Sequence, residues 1–481
     1  MAFAFIADLS TSASILLLIS LAAICLFEAI NGFHDTANAV ATVIYTKTLS
    51  PNVAVVWSGL MNFLGVFFGG VVMASIMGFF GASGDSHGGI GVAMGIVKLM
   101  PLNEMMSSNV SETISLVMAV LFAAIIWNLA TWYRGIPCSS SHTLIGALLG
   151  AGFAFSTIHL SAKVNWGKAS EIGSALLISP LFGFSLAIIL MYMLRVFVKN
   201  KRIFREPDPK KPPPFWIRAT LVLTCTLVSF FHGSNDGQKG VGLLLVIMMA
   251  FMPTQFAMNQ AINPNQLKAS AENIESALLQ EATTAANSAV LQGFAQETRS
   301  LIGTIDTLNA QSKASVLALR KDIQKLNGSL TGAISGGLIT NAAMKSTIRS
   351  EIKHLQGSYE YAPLWMVALI SICLGIGTMI GWKRIVVTIG EKIGKSHLTY
   401  AQGASAELCA AATIGVSTGL GLPVSTTHVL SSGIAGTMVA QGGVKNLQRG
   451  TIRNIVLAWL LTLPVSFGLA FLLYFALRII I

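Results

Sequence analysis

The chain has 481 residues, of which 53% are apolar and 11% are charged, and its mean hydropathy is +0.68. Soluble domains carry about 25% charged residues, so this composition excludes an ordinary soluble protein and predicts a polytopic membrane protein. The formal net charge of +11 lies mostly in short loops, where Lys and Arg set membrane orientation. We therefore expect the lipid bilayer as a partner and no nucleic acid.

Five apolar segments fill the first part of the chain, and runs of about 18–25 apolar residues can span a bilayer as helices. They lie near 11–30, 53–80, 113–134, 141–157 and 171–194. A stretch rich in Lys, Arg and Pro follows at 195–215. Proline cannot continue a helix, and short basic loops stay inside. We therefore predict a first transmembrane repeat over 1–194 and a cytoplasmic linker over 195–215.

Further apolar segments follow the linker near 216–233, 238–257, 362–382, 399–420, 428–441 and 452–478. These ranges predict a second transmembrane repeat, which starts over 216–257 and resumes over 362–481. Residues 258–361 between them are polar. Apolar residues nevertheless recur there at helical spacing, as in Ile274, Leu278 and Leu279, and in Val316, Leu319 and Ile323. This periodicity predicts a soluble helical insertion, with disorder as the alternative.

Two motifs occur once in each half and in the same order. "GFHDTANAVA" (32–41) corresponds to "FFHGSNDGQKG" (230–240), and "GIPCSSSHTLIGALLG" (135–150) corresponds to "GLPVSTTHVLSSGIAG" (421–436). This order indicates a duplicated fold. With about five spans per half, the halves would have opposite orientations. We predict an all-α polytopic membrane protein of two inverted repeats with broken or re-entrant helices, about 10–12 transmembrane segments and a soluble helical insertion. Both termini and the insertion would lie outside.

The Pro-Ser motifs predict helix N-termini inside the membrane, because Pro favours the first helical turn and Ser or Thr caps free N–H groups. A helix N-terminus with free N–H donors binds anions. Hydroxyl groups add donors that suit a tetrahedral oxyanion. The predicted anion-binding residues are Ser139, Ser140 and Ser141 in one half and Ser425, Thr426 and Thr427 in the other.

The Asp/Asn motifs place Asp35 and Asn38 in one half and Asn235 and Asp236 in the other. A carboxylate at membrane depth is a functional hypothesis by default, and the neighbouring glycines permit helix breaks. Two carboxylates would repel an anion unless a cation lies between them. We therefore infer cation-coupled anion transport, with H⁺, Na⁺ or a divalent metal such as Mg²⁺ or Ca²⁺ as the cation, and no metal as a fixed cofactor.

Three further buried polar residues are candidates for coupling, beside Asp35 and Asp236. Glu28 and Glu407 lie within apolar segments, and Asn62 lies in "MNFLGVFFGG". A buried carboxyl group can carry a proton. Hydrogen bonding between helices is an equal alternative for all three.

The motifs above, together with "TYAQG" (399–403), resemble the inorganic phosphate transporter (Pit) family, and most closely its low-affinity bacterial members. The resemblance covers the membrane segments and not the insertion. It implies import of inorganic phosphate across a bacterial inner membrane by symport, proton-driven and with phosphate carried as a divalent metal complex. It also implies that the Asp, Asn, Ser and Thr residues above are the phosphate and cation ligands, and that the chain is not an enzyme. A homodimer is a candidate assembly.

Some residues depart from the family pattern. His34 stands where many relatives have Asn, Gln238 and Lys239 replace the partner of Asn38, and Asn62 stands where sodium-coupled relatives have Glu. These departures favour protons, whereas Glu407 would suit sodium. Sodium-coupled phosphate symport and a sulfate or other oxyanion permease therefore stay open.

Two alternatives come from other functional classes. A channel would be lined by His34, His142, His232 and His428, but paired polar motifs suit a closed site better than a continuous pore. A membrane phosphatase would use Asp35 or His142, but no nucleophile–base arrangement supports it.

Overall fold

The computed structural model describes residues 9–79, 89–208, 211–283 and 287–481. Two parts of the sequence predictions fall beyond these ranges. They are residues 209–210 of the predicted linker and residues 1–8, for which a location outside the cell membrane is predicted. Within them the chain is α-helical, with one isolated β-bridge between Gly394 and Leu447. Two compact units are present. One contains the apolar helices, and the other contains residues 248–361 together with 105–107.

The helices of the first half are α1 (Thr11–Asp35), α2 (Ala37–Tyr45), α3 (Pro51–Phe79), α4 (Gly91–Val97), α5 (Leu102–Ser107), α6 (Val110–Tyr133), α7 (Ser140–Ile158) and α8 (Trp166–Phe197). A 3₁₀ turn at Lys201–Phe204 follows. The next helices are α9 (Phe215–Phe251), α10 (Pro253–Phe256), α11 (Pro264–Ala282), α12 (Ser288–Asp306), α13 (Lys313–Ser335) and α14 (Ala342–Gln356). The chain ends with α15 (Leu364–Met379), α16 (Lys383–Glu391), α17 (Tyr400–Gly419), α18 (Thr426–Gly442), a 3₁₀ turn at Val444–Asn446, and α19 (Arg449–Ile480).

Seven helical segments of the described residues are long and apolar enough to cross a membrane, counting α1 and α2 as one. An eighth is added if α15 and α16, which meet at 66°, form one span. The apolar segments of the sequence predict about 10–12 spans. Two of these segments, 216–233 and 238–257, form the single helix α9 of 37 residues. Two others, 399–420 in α17 and 428–441 in α18, are not among the candidate spans of the described residues.

At the first polar motif the helix is interrupted, since α1 ends at Asp35 and α2 begins at Ala37. At the second motif α9 is continuous, and the glycines there serve close helix packing. A β-carbon on Gly233 would overlap the backbone oxygen of Asn62, and one on Gly65 would overlap that of Phe230. α9 and α3 therefore touch through their backbones. Small residues allow such close approach in membrane helices, and α9 stays continuous because its backbone bonds are kept.

Helix packing is reciprocal between the halves. α1 packs on α15 and α3 on α9, while α7 packs on α19 and α8 on α18. If α1, α3, α7 and α8 correspond to α9, α15, α18 and α19, each contact recurs with the halves exchanged. This pattern is what a duplicated fold produces. The inverted orientation of the halves stays a prediction.

The second unit is built from helices α11 to α14, which begin at polar N-caps such as Asn263, Ser312 and Asn341. Its core is apolar. Of the six periodic apolar residues, Ile274, Leu278, Val316, Leu319 and Ile323 are buried, while Leu279 is 41% exposed. The periodicity therefore identified the core face, and Leu279 lies beyond its edge.

Glu281 connects two helices of this unit. Its Oε1 accepts hydrogen bonds from the backbone N–H groups of Thr340 (2.7 Å) and Asn341 (3.0 Å) and from the Thr340 hydroxyl (2.8 Å). Burial raises the pKa of Glu281, but these hydrogen bonds lower it by more than burial raises it. The pKa of Glu281 therefore lies below its ordinary value. The ionised carboxylate thus stabilises the start of α14.

Candidate functional site

The first polar motif lies where α1 meets α2, at Thr36. The Thr36 hydroxyl donates to the backbone oxygens of Gly32 (2.7 Å) and Thr378 (2.8 Å). Thr36 keeps helical dihedral angles, so the irregularity is one residue long. Asp35 is therefore the last residue of α1, and it is 2% exposed.

The two Pro-Ser motifs start helices in the same way in both halves. Ser139 is the N-cap of α7 and accepts a hydrogen bond from the His142 backbone N–H at 3.2 Å. Ser425 is the N-cap of α18 and accepts from the His428 N–H, also at 3.2 Å. The helix starts lie where the proline-serine pattern predicts them. The hydroxyls of Ser139 and Ser425 are engaged in capping.

Hydroxyls from both helix N-termini converge on the Asp35 carboxylate. Ser140 of α7 donates to Oδ2 at 2.9 Å, and Thr427 of α18 donates to Oδ1. Asn38 donates to the same Oδ1 at 3.1 Å and contacts the hydroxyls of Thr427 (3.0 Å) and Thr426 (3.4 Å). All five residues are buried. One carboxylate thus links three elements that are far apart in sequence.

A second polar cluster surrounds Asp236 in the middle of α9. Lys239 donates to Asp236 Oδ1 (2.8 Å), to the Ser141 hydroxyl (2.5 Å) and to the Val424 backbone oxygen (3.0 Å). Ser141 also donates to the Val424 oxygen at 3.0 Å. Lys239 therefore neutralises Asp236 and ties α9 to the starts of α7 and α18.

His232 lies between the two carboxylates. Its Nε2 is 3.6 Å from Asp35 Oδ2 and 3.8 Å from Asp236 Oδ2. Its Nδ1 is 2.9 Å from Asn62 Oδ1, and Asn62 in turn donates to Thr378 (2.9 Å). His232 Nε2 and Asp236 Oδ2 are buried without a hydrogen-bond partner among the described residues.

Asp35, His232 and Asp236 could together hold a cation. One ligand atom from each lies within 4.8 Å of the others, and all three side chains are buried. Carboxylate ligands suit hard divalent metals such as Mg²⁺ and Ca²⁺, whereas an imidazole ligand suits borderline divalent metals. The unpartnered atoms of His232 and Asp236 are those that face this position. The arrangement suits a transported cation, and the expectation of no fixed metal cofactor stays a prediction.

Asn235, although a predicted ligand, faces a different group of atoms. Its Nδ2 donates to the Thr418 hydroxyl (2.9 Å) and the Leu422 oxygen (3.2 Å), and its Oδ1 accepts from the Val424 N–H (3.2 Å). Asn235 thus holds the connection between α17 and α18. It positions the start of α18 and lies outside the Asp35 cluster.

The other two acidic coupling candidates also lie outside the cluster. Glu407 accepts hydrogen bonds from the hydroxyls of Thr42 and, at 2.5 Å, Thr224. It therefore links α2, α9 and α17. Glu28 accepts from Asn31 at 3.4 Å and lies beside Gly240 of α9. Both are fully buried carboxyl groups, so a role in proton transfer stays a prediction for each.

The four histidines of the channel alternative lie in two groups. The rings of His142 and His428 lie 4.5 Å apart, and His428 stacks on Trp459 at 4.0 Å. His34 and His232 both lie beside Asp35, at 3.8 Å and 3.6 Å from its carboxylate oxygens.

Sequence reasoning gave His232 a role only in the channel alternative, and it treated Lys239 as a departure from the family pattern or as an ion-pair partner of Asp236. The signal that finds them is helical spacing. His232 and Asp236 are four residues apart and Asp236 and Lys239 three apart, which places all three on one face of a continuous helix. Because a helix break was expected at this motif, the shared helix face was not predicted.

A model of the phosphate transporter family matches residues 31–470. The chain is 38% identical to a low-affinity inorganic phosphate transporter of Buchnera aphidicola, with 96% of each chain covered. It is equally identical, with the same coverage, to the low-affinity inorganic phosphate transporter PitA of Escherichia coli K12. A probable low-affinity inorganic phosphate transporter of Bacillus subtilis is 30% identical, with 97% of this chain and 99% of that protein covered.

One solved structure, described as the sodium-dependent phosphate transporter, shares the fold with a TM-score of 0.53 and 18% identity. The alignment covers 97% of this chain and 100% of that one. The family consists of transporters, which confirms the expectation that the chain is not an enzyme. The family model and the near full-length relatives together show that this chain belongs to the phosphate transporter family.

Proposed function

We propose that the chain imports inorganic phosphate across a bacterial inner membrane by cation symport, driven by protons and with phosphate carried as a complex with a divalent metal such as Mg²⁺ or Ca²⁺. The bacterial relatives are named as inorganic phosphate transporters. Seven or eight apolar helical segments support a multi-pass membrane location.

The observation that carries the proposal is the convergence of two helix N-termini on one buried position. Ser140 and Thr427 come from corresponding motifs, and both donate to Asp35. A helix N-terminus favours negative charge through its free N–H groups and dipole. Two such termini that face one point form a receptor for an oxyanion. In this structure the Asp35 carboxylate accepts the hydroxyl bonds that an incoming phosphate would compete for.

The charges of the site favour a metal–phosphate complex together with a proton. Asp35 and Asp236 are two negative groups, and Lys239 is one positive group. With His232 neutral, one negative charge remains uncompensated. Burying net charge is costly. A neutral complex of a divalent metal with hydrogen phosphate adds no charge, and one proton then makes the site neutral.

The geometry supports an order of groups within the site. The metal would bind the carboxylates of Asp35 and Asp236, with His232 between them; one ligand atom from each of the three residues lies within 4.8 Å of the others. Phosphate would bind the metal on one side and the starts of α7 and α18 on the other. The metal would separate phosphate from the carboxylates and remove their repulsion.

We also propose that the basic linker lies inside and that both termini and residues 258–361 lie outside, because Lys and Arg concentrate in cytoplasmic loops. Single cysteines at the exposed positions Lys201 and Gln311 test this orientation in intact spheroplasts. An impermeant maleimide should label Gln311→Cys and spare Lys201→Cys. Labelling of Lys201→Cys alone would show that the chain has the opposite orientation, and it would not affect the transport proposal.

The transport proposal is tested by phosphate uptake into proteoliposomes with imposed proton or sodium gradients, with and without Mg²⁺. We expect uptake that needs the proton gradient and rises with Mg²⁺. Uptake that needs only a sodium gradient would identify sodium, instead of the proton, as the coupling ion. Stronger competition by sulfate than by unlabelled phosphate would identify sulfate as the preferred substrate. Absence of phosphate uptake under every gradient, in protein shown to be folded, would overturn the proposal.

A further inference from the structure

A cavity of about 580 Å³ lies between the end of α6 and the bend that joins α15 to α16. Four cationic side chains line it, together with aromatic rings that include Trp132 and Trp382. The cations are Arg134, Lys383, Arg384 and Lys392. Its described lining contains no acidic residue. We call this cavity the basic groove.

The helix α16, which lines the basic groove, runs alongside α2, the helix that begins next to Asp35. Gly381, before α16, packs against the Phe33 ring, two residues from Asp35. Gly390, at the far end of α16, packs against the Tyr45 ring at the end of α2. α16 therefore follows the chain from the level of Phe33 to the end of this span. The groove, which includes residues from Gly381 to Lys392, extends over the same distance.

The cations of the basic groove carry uncompensated charge. Within the described ranges, none of the four forms an ion pair with a carboxylate. The nearest acid in sequence, Glu391, lies beside Tyr45 instead. Orientation in the membrane requires basic residues in loops, but it does not require that they converge on one concave surface.

One guanidinium of the groove is held in place. Arg384 donates to the Tyr133 backbone oxygen at 2.6 Å, and it lies over the rings of Trp132 (5.1 Å) and Tyr133 (4.8 Å). A guanidinium has five N–H donors, and this bond uses one of them. The Thr388 hydroxyl fixes the adjacent turn by donating to the Gly135 oxygen at 2.8 Å. An ordered Arg costs less entropy when it binds a phosphate group than a mobile Lys does.

We propose that the basic groove is an accessory binding site for a phosphate group, which either free inorganic phosphate or the headgroup of an anionic lipid could supply. A planar guanidinium with three neighbouring cations matches the geometry and charge of phosphate. Free phosphate bound there would be concentrated beside the transport site, and this role alone rests on the proposed function.

Chemical protection of lysines tests the proposal at residue level. The full chain in phosphatidylcholine nanodiscs is treated with an amine-acylating reagent, and modification of Lys383 and Lys392 is measured by mass spectrometry. The arms contain inorganic phosphate, phosphatidylglycerol in the disc, or KCl at matched ionic strength. At ten times Kd, occupancy should slow acylation about tenfold. The exposed Lys163 and Lys445 are internal controls and should not change.

Each outcome has a defined meaning. Protection by phosphate in phosphatidylcholine discs assigns free phosphate, and protection only with phosphatidylglycerol assigns the lipid. Arg384→Gln should abolish protection, whereas Arg449→Gln, an exposed arginine elsewhere, should preserve it. Absence of protection in both arms, or equal slowing by KCl, would overturn the proposal. Asp35→Asn should retain protection even where uptake is lost, which separates failure of the groove from failure of the transport site.

Discussion

Replacing Asp35 by Asn tests the centre of the candidate site, because the change preserves shape and removes charge. The carboxylate accepts hydrogen bonds from Ser140, Thr427 and Asn38 and lies 3.6 Å from His232. A hydrogen bond to a charged group contributes about 1.5–3 kcal/mol. Asn also presents an N–H₂ group where hydroxyls donate.

The variant also loses the negative charge that is proposed to bind the transported cation, and loss of one such charge-assisted interaction corresponds to about 10- to 100-fold in cation affinity, at 1.4 kcal/mol for each tenfold step. We therefore expect phosphate uptake by Asp35→Asn, measured in proteoliposomes below saturation, to fall by at least about tenfold. Glu112→Gln is the matched control. Glu112 lies in the first turn of α6, outside the N-termini of α7 and α18, and pairs with His159 and Arg478 at 2.8 Å each. Uptake by Glu112→Gln should persist. Uptake by folded Asp35→Asn within about twofold of wild type would refute this reasoning.

Three further predictions concern stability. Lys239→Met leaves Asp236 buried without its cation, which should lower the free energy of unfolding, measured by thermal unfolding, by about 3–5 kcal/mol. The double variant Lys239→Met with Asp236→Asn should recover most of that stability but not phosphate uptake. A double variant as unstable as the single one would contradict the ion pair. Gly233→Ala should destabilise by about 1–3 kcal/mol because its β-carbon meets the Asn62 backbone, whereas Gly173→Ala in α8, with open space around it, should stabilise by up to about 1 kcal/mol; equal unfolding temperatures for the two variants would refute the packing argument. Glu281 has a lowered pKa, so its contribution to stability is present above the ordinary carboxyl pKa of about 4.3 and is lost as pH falls through the lower folded value; hydrogen exchange at Thr340 and Asn341, corrected for intrinsic rates, should show this loss in wild type and not in Glu281→Gln.

Local patterns in the sequence were sufficient to predict the apolar helices and the starts of α7 and α18. Proline followed by Ser or Thr sets a helix start within a few residues, so Ser139 and Ser425 could be recognised without a structure. Apolar periodicity likewise identified Ile274 and Leu319 as core residues of the insertion. These features depend on neighbours within one or two turns.

The contacts that build the site could not be predicted in the same way, because they join distant parts of the chain. Asp35 and Thr427 are separated by 392 positions. Which hydroxyl donates to Asp35, and that Asn235 does not, depends on how the halves pack. The glycines show the same limit, because Gly233 permits either a helix break or close packing. The neighbouring Asn62 backbone decides between them.

A structure of the protein with Mn²⁺ and phosphate would test the central claim most directly, because Mn²⁺ can be located by its anomalous scattering. We expect an anomalous peak among Asp35, His232 and Asp236, with phosphate density between that peak and the N-termini of α7 and α18. Phosphate density at another place, with only the Asp35 carboxylate bound to these two N-termini, would contradict the proposed site.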